Sequence, residues 1–127
     1  MRIMIAGSRY ASTKMLAQVR AAVDRIAARG DVLFVGDADG IDAAAIAHAH
    51  EIGVEHYVFT RVGMPPRNTS PSAIVVQEGA WFRDRDRIMA HRADMGYFVW
   101  NGKSKGTRAV YNFMTQLGKP AFLWEPA

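Results

Sequence analysis

A chain of 127 residues, half of them apolar, has room for one ordinary hydrophobic core and not for two domains. It has no cysteine, which excludes disulfides and thiolate metal centres, and no apolar run near the roughly 20 residues that a membrane helix needs. Its net charge of +4 would draw an anionic partner, but the basic residues are spread along the chain instead of gathered in one arm. The expectation is one domain over residues 1–127, cytoplasmic because the opening Met1–Gly7 is too short for a signal peptide.

Ile3 to Ala6 reads as a buried first strand that runs into Gly7-Ser8-Arg9. Ser12 or Thr13 can cap a helix with the stripe Leu16, Val19, Val23 and Ile26, closed by Gly30. Val32 to Val35 is a second strand, ending at Gly36. Asp42 can cap an alanine-rich helix that runs to Ile52 and stops at Gly53. His56 to Phe59 is a third strand. From Arg61 to Gly79 no period is clean; prolines interrupt it, and Ile74-Val75-Val76 reads equally as a small strand or as loop. Helical character resumes from Trp81 to His91, Gly96 to Trp100 is a fourth strand, and Thr107 can cap a helix carrying Val110, Met114 and Leu117. Pro120 to Trp124 is the last strand.

Strands alternating with helices imply right-handed crossovers. The predicted fold is α/β, a Rossmann-like three-layer sandwich with a mainly parallel sheet of about five strands. Such sheets bind ligands beyond the carboxyl ends of their strands, where strand order reverses. Three loops qualify, and each contains glycine. Gly7-Ser8-Arg9 offers a hydroxyl and a guanidinium for phosphate, although a plain turn with a surface arginine is the simpler role. Gly102, Gly106 and Thr107 can cradle an anion at a helix N-terminus, with Lys103, Lys105 and Arg108 supplying charge. Gly36-Asp37-Ala38-Asp39-Gly40-Ile41-Asp42 is acidic and better suited to ribose hydroxyls, a base amino group or acid–base work.

Neither a Walker loop nor G-x-G-x-x-G is present, which disfavours an ATPase or an ordinary NAD dehydrogenase. His48 and His50, two apart on a helix, face different ways and make no zinc pair. Arg83 to Arg87 reads as a solvated helix face, and Trp81, Ile88 and Met89 as core. Nothing in the sequence asks for a resident metal or cofactor.

These positions together resemble the SLOG superfamily of Rossmann-like domains, and most closely its small bacterial and phage branch, the domain of unknown function 2493 or YspA-like group. Gly7-Ser8-Arg9 matches that branch's Gly-Ser-Arg. Gly36, Ala38, Gly40 and Asp42 match its Gly-Gly-Ala-x-Gly-Ala-Asp, Arg85 to Met89 approximate Arg-Asn-x-x-Met, and Gly106-Thr107 match its Gly-Thr. Asp37, Asp39 and Asp86 depart from the pattern and add negative charge. The resemblance implies binding of a nucleotide or nucleotide derivative, of the ADP-ribose or nucleoside-phosphate kind. In that reading phosphate lies on Gly7, Ser8, Arg9, Gly106 and Thr107, Arg85 acts as a clamp, and sugar hydroxyls meet Asp37, Asp39 or Asp42. The alternative is an N-glycosidic hydrolase or (deoxy)ribosyltransferase, for which Glu78, at the end of the irregular segment, is the candidate carboxylate. Single-stranded nucleic-acid binding ranks last, because the three tryptophans are expected to be buried. A homodimer through Tyr111, Phe113 or Trp124 is left open; no membrane partner is expected.

Overall fold

The apolar runs of the sequence become the strands of one sheet in the computed structural model, which describes residues 1–126. In chain order the elements are β1 (Arg2–Gly7), α1 (Thr13–Arg29), β2 (Val32–Gly36), α2 (Ile41–Ile52), β3 (His56–Thr60), β4 (Ile74–Gln77), α3 (Phe82–Arg92), β5 (Met95–Val99), α4 (Lys105–Gln116) and β6 (Ala121–Trp124). The sheet has six strands in the order β4-β3-β2-β1-β5-β6, and every pairing is parallel. The α/β expectation holds, with one strand more than expected. Ile74 and Val75 are exposed on an edge strand, so no buried alternation marked β4.

Strand periodicity divides the core. Ile3 and Ile5 of β1 pack with Val19 and Val23 of α1 and Ile46 of α2. Met4 and Ala6, pointing the other way, pack with Met89 of α3 and Val110 and Met114 of α4. Thus α1 and α2 cover one face of the sheet, and α3 and α4 the other. From β1 the chain crosses to β2, but from β5 it crosses away to β6. The loops after β1 and β5 therefore part, and a crevice opens between them.

The helix ends differ in part from expectation. Ser12 caps α1, its side chain accepting from Met15 N at 3.2 Å, and Met15 is buried where Leu16 was expected to be. Asp42 is not the cap of α2; Gly40 holds that position and Asp42 is the second helical residue. Thr107 is likewise inside α4, whose cap is Ser104. Trp81 is not core: it precedes α3 and is 66% exposed. Among the described residues no helix is long and apolar enough to cross a membrane.

Helix α3 ends without a glycine, and its last carbonyls are answered from a distance. Lys119, between α4 and β6, donates from Nζ to the carbonyls of Ala90 (2.9 Å), His91 (2.5 Å) and Ala93 (2.7 Å). An ammonium at the negative end of the helix dipole also gains electrostatically. Lys119→Met is expected to lower stability by about 1–2 kcal/mol, read as an earlier urea midpoint with an unchanged slope.

Candidate functional site

Where β1 and β5 part, a cleft of about 670 Å³ opens over the carboxyl end of the sheet. Its apolar lining comes from Ala6 of β1, Met89 of α3 and Val110 of α4, with Phe82 beside them. Arg9 and Tyr10 enter from the loop after β1, and Lys103 and Lys105 from the β5–α4 connection. Arg9, Lys103 and Lys105 form no ion pair among the described residues. A volume of this size suits a nucleotide-sized ligand.

The basic side is locally braced. Asn101 Oδ1 accepts from Lys103 N and Ser104 N, both at 2.9 Å, which turns the chain into α4. Trp100 Nε1 donates to the Ser104 carbonyl at 2.8 Å. Ser104 Oγ caps Thr107 N, the N–H groups of Lys105 and Gly106 have no acceptor among the described residues, and a Cβ on Gly106 would meet nothing within 4 Å, so the backbone there is open to close approach. Ser8 joins the two loops. Its hydroxyl oxygen accepts from Asn101 N at 3.1 Å, while its own N–H is held by the Val99 carbonyl at 3.3 Å.

The acidic side is built around Arg85, which is nearly fully buried. Its Nη1 donates to Asp37 Oδ1 at 2.6 Å, and its Nε and Nη2 donate to Asp86 Oδ1 at 3.0 and 2.7 Å. Asp37 also accepts from Thr60 Oγ1 (3.1 Å), Arg67 N (2.9 Å) and Arg67 Nη2 (2.8 Å). Burial would raise the Asp37 carboxyl, but the Arg67 hydrogen bonds and the two guanidinium charges hold it below the usual carboxylate range. Burial pushes Asp42 up to about 7, against the pull of Arg85, and it raises Asp86 as well. Burial also opposes the charge of Arg85, but Asp86, Asp42 and Asp37 outweigh it and keep the guanidinium protonated.

Asp37 also anchors the irregular segment. Asn68 Nδ2 bridges the Asp37 carbonyl (3.0 Å) and Asp39 Oδ1 (2.9 Å), and His56 Nε2 meets Ser70 Oγ at 2.6 Å. The guanidiniums of Arg61 and Arg67 stand over the Phe82 ring at 4.4 and 4.1 Å. Residues 61–73 are thereby strapped along one side of the cleft, which brings Arg67 into its lining.

The candidates of the sequence fall into two groups. Gly7, Ser8, Arg9, Asp42, Arg85, Gly106 and Thr107 line the cleft. Gly36, Asp37, Asp39, Gly40, Gly102 and Glu78 do not. Gly36 gives room to Arg85 and Asp42, because a Cβ on it would lie 2.6 Å from Arg85 Nη2 and 2.7 Å from Asp42 Oδ2. Asp37 is enclosed by its four donors and cannot meet a sugar. Arg85 belongs to no solvated helix face: it lines the cleft, and three of its N–H groups serve Asp37 and Asp86. Glu78 pairs with Arg92 at 2.7 Å and lies outside the cleft lining. His48 meets Asp24 and His50 meets Ser72, and no metal-sized acid–histidine cluster exists among the described residues. Arg67, Phe82 and Asn101 were missed: two lie in or beside the segment without periodicity, and Asn101 acts through a turn.

No family model matches the chain, and no curated protein matches it. Solved structures do. The molybdenum cofactor binding protein from the phototrophic bacterium Rippkaea orientalis aligns with a TM-score of 0.85 at 19% identity, over 99% of this chain and 77% of its own. The molybdenum cofactor carrier protein from Chlamydomonas reinhardtii aligns with a TM-score of 0.81 at 22% identity, over 98% and 76%. DNA processing protein A from Helicobacter pylori aligns with a TM-score of 0.75 at 15% identity, over 97% and 64%. The chain therefore has the Rossmann-like α/β fold of these proteins.

Proposed function

We propose that residues 1–127 act as one binding domain of the small SLOG branch, holding a nucleotide or nucleotide derivative in the cleft between β1 and β5. The observation that carries this reading is the combination, at the topological switch point, of three unpaired cations, an open helix N-terminus and an apolar floor. The anionic group lies toward Arg9, Lys103, Lys105 and the backbone of Gly106. The ring system lies on Ala6, Met89 and Val110, beside Phe82. Two of the structural neighbours are a molybdenum cofactor binding protein and a molybdenum cofactor carrier protein, which supports a small-molecule ligand for this cleft.

Thermal shift with a panel of nucleotides, ADP-ribose and inorganic phosphate tests the reading, since a ligand that prefers the folded state raises stability. Mononucleotides are expected to stabilise the protein, and Lys103→Ala with Lys105→Ala is expected to weaken them about tenfold or more, with the melting temperature of the free protein nearly unchanged. No shift with any phosphate-bearing ligand would overturn it. Chromatography of the same mixtures reads base release; a glycosidic enzyme would draw on Asp42 or Asp86, the acids that line the cleft, because Glu78 is outside it.

One observation favours a second reading, single-stranded nucleic-acid binding. Trp81 and Tyr10 are 66% and 84% exposed beside a basic cleft, where the sequence had suggested buried tryptophans. Stacking on such rings tolerates any base. Binding to single-stranded DNA that falls steeply with salt and is lost in Trp81→Ala would support it.

A further inference from the structure

Asp42 leaves an acceptor open in the cleft. The residue is 5% exposed, and its Oδ2 accepts from Ala38 N at 3.2 Å. Its Oδ1 has no donor among the described residues, although the side chain lines the cleft. The adjacent Arg85 makes no hydrogen bond to it, its three side-chain hydrogen bonds going to Asp37 and Asp86. Asp86 shows the same one-sided pattern: Oδ1 takes both Arg85 bonds and Oδ2 takes none. Neither oxygen is sealed off: among the described residues the buried side-chain polar atoms without a partner are His48 Nδ1 and Arg61 Nε, so both carboxyl oxygens stay open to accept from whatever enters the cleft. In a cavity with an apolar floor and a basic side, the missing donors point to the ligand.

We propose that Asp42, assisted by Asp86, reads a hydrogen-bond-donor edge on the ligand ring system: an adjacent ring N–H and amino group, as in guanine or a pterin. The inference rests on the cleft being the site of a phosphate-bearing heterocycle and names which heterocycles it takes. A carboxylate only accepts, so both donors of that edge are answered. Adenine sets a ring acceptor next to its amino group, which turns a lone pair toward the carboxylate. A site built for donors rejects a ring that leaves its acceptors unpaired.

Protonation tunes this reading. The groups facing Asp42 are Arg85 and Asp86 from α3 and Asp37 from the loop after β2, and with burial they bring its carboxyl to about 7. The donor edge needs the ionised form. Its fraction falls about tenfold between pH 8 and pH 6, and the apparent affinity falls with it.

Calorimetric titration with GMP, AMP, neopterin monophosphate and inorganic phosphate at pH 8 and pH 6 tests the inference. GMP or the pterin phosphate is expected to bind at least about tenfold tighter than AMP at pH 8, with most of that preference gone at pH 6. AMP corrects for titration of the phosphate itself, and comparison of GMP with the pterin phosphate decides between the two ring systems. Asp42→Asn, nearly isosteric, is expected to bring GMP and the pterin phosphate within about twofold of an unchanged AMP affinity. Equal wild-type affinities for all three organic phosphates would overturn the inference and leave the nucleotide reading standing. Binding of none of the four would overturn both. Should Asp42→Asn fail to fold, Asp86→Asn and the wild-type pH dependence of the preference decide.

Discussion

Arg85→Ala is expected to lower the stability of the protein by about 3–5 kcal/mol at pH 7, which removes a buried cation and leaves its carboxylates uncompensated. The side chain is 5% accessible and touches Asp37 on one side and Asp86 on the other. Thermal unfolding should shift down by roughly 10–20 °C for a chain of this length. The defect should also depend on pH. In the wild type the depressed Asp37 carboxyl contributes stability above its ordinary range, lost only as pH falls through its lower folded value. Without the guanidinium, Asp42 and Asp86 rise further above their unfolded values and Asp37 loses part of its depression, so the folded variant holds more protons than the unfolded chain. Its stability then falls as pH increases from acid to neutral, and the gap to wild type is widest at pH 7–8. Arg85→Lys keeps the charge but not the fork that reaches two carboxylates, and should recover only part of the loss. A melting temperature that is unchanged in Arg85→Ala at pH 7 would show that the acids do not need this cation.

Gly40→Ala should be the next most damaging change. Gly40 sits at φ 75° and ψ −118°, a region essentially closed to residues with a side chain. A Cβ there would also run into the backbone carbonyls of Ser8 and Arg9, neither of which can swing aside. Backbone strain and overpacking together suggest a loss of about 3 kcal/mol or more, read by urea denaturation. Because the obstructed atoms belong to the loop that carries Arg9, nucleotide affinity should fall as well. A variant that folds with wild-type stability would mean that the loop after β1 shifts freely, and the braced cleft described here would then be wrong.

Both predictions concern residues whose role the sequence only partly reveals. Gly40 and Gly36 stand out as glycines after a strand, which suggests backbone approaching a ligand. In the structure each makes room for protein instead, for the Ser8–Arg9 backbone and for the Arg85 guanidinium. Arg85 lies in an alternating run of arginines and aspartates that local reasoning places in solvent, because ion pairs between neighbours need no burial. What buries it is Asp37, forty-eight residues earlier, and no pattern along the chain connects the two. Glu78 illustrates the reverse. The end of an irregular loop is a sound place to look for function, but β4 carries it to the far edge of the sheet from the β1–β5 crevice.

Local chemistry in the sequence determined a good deal: the apolar runs that became strands, the helical stripes, the glycine stops at Gly30 and Gly53, and the rule that a ligand belongs at the strands' carboxyl ends. Those properties depend on neighbours within a few residues, so periodicity and capping express them directly. The tertiary structure alone decided which loops share the crevice, how residues 61–73 are strapped beside it, and which of the aspartates still has an acceptor to offer. Those outcomes depend on burial and on partners brought together by parallel crossovers. A charged side chain reads the same in the sequence whether its partner is water, a distant arginine or a ligand.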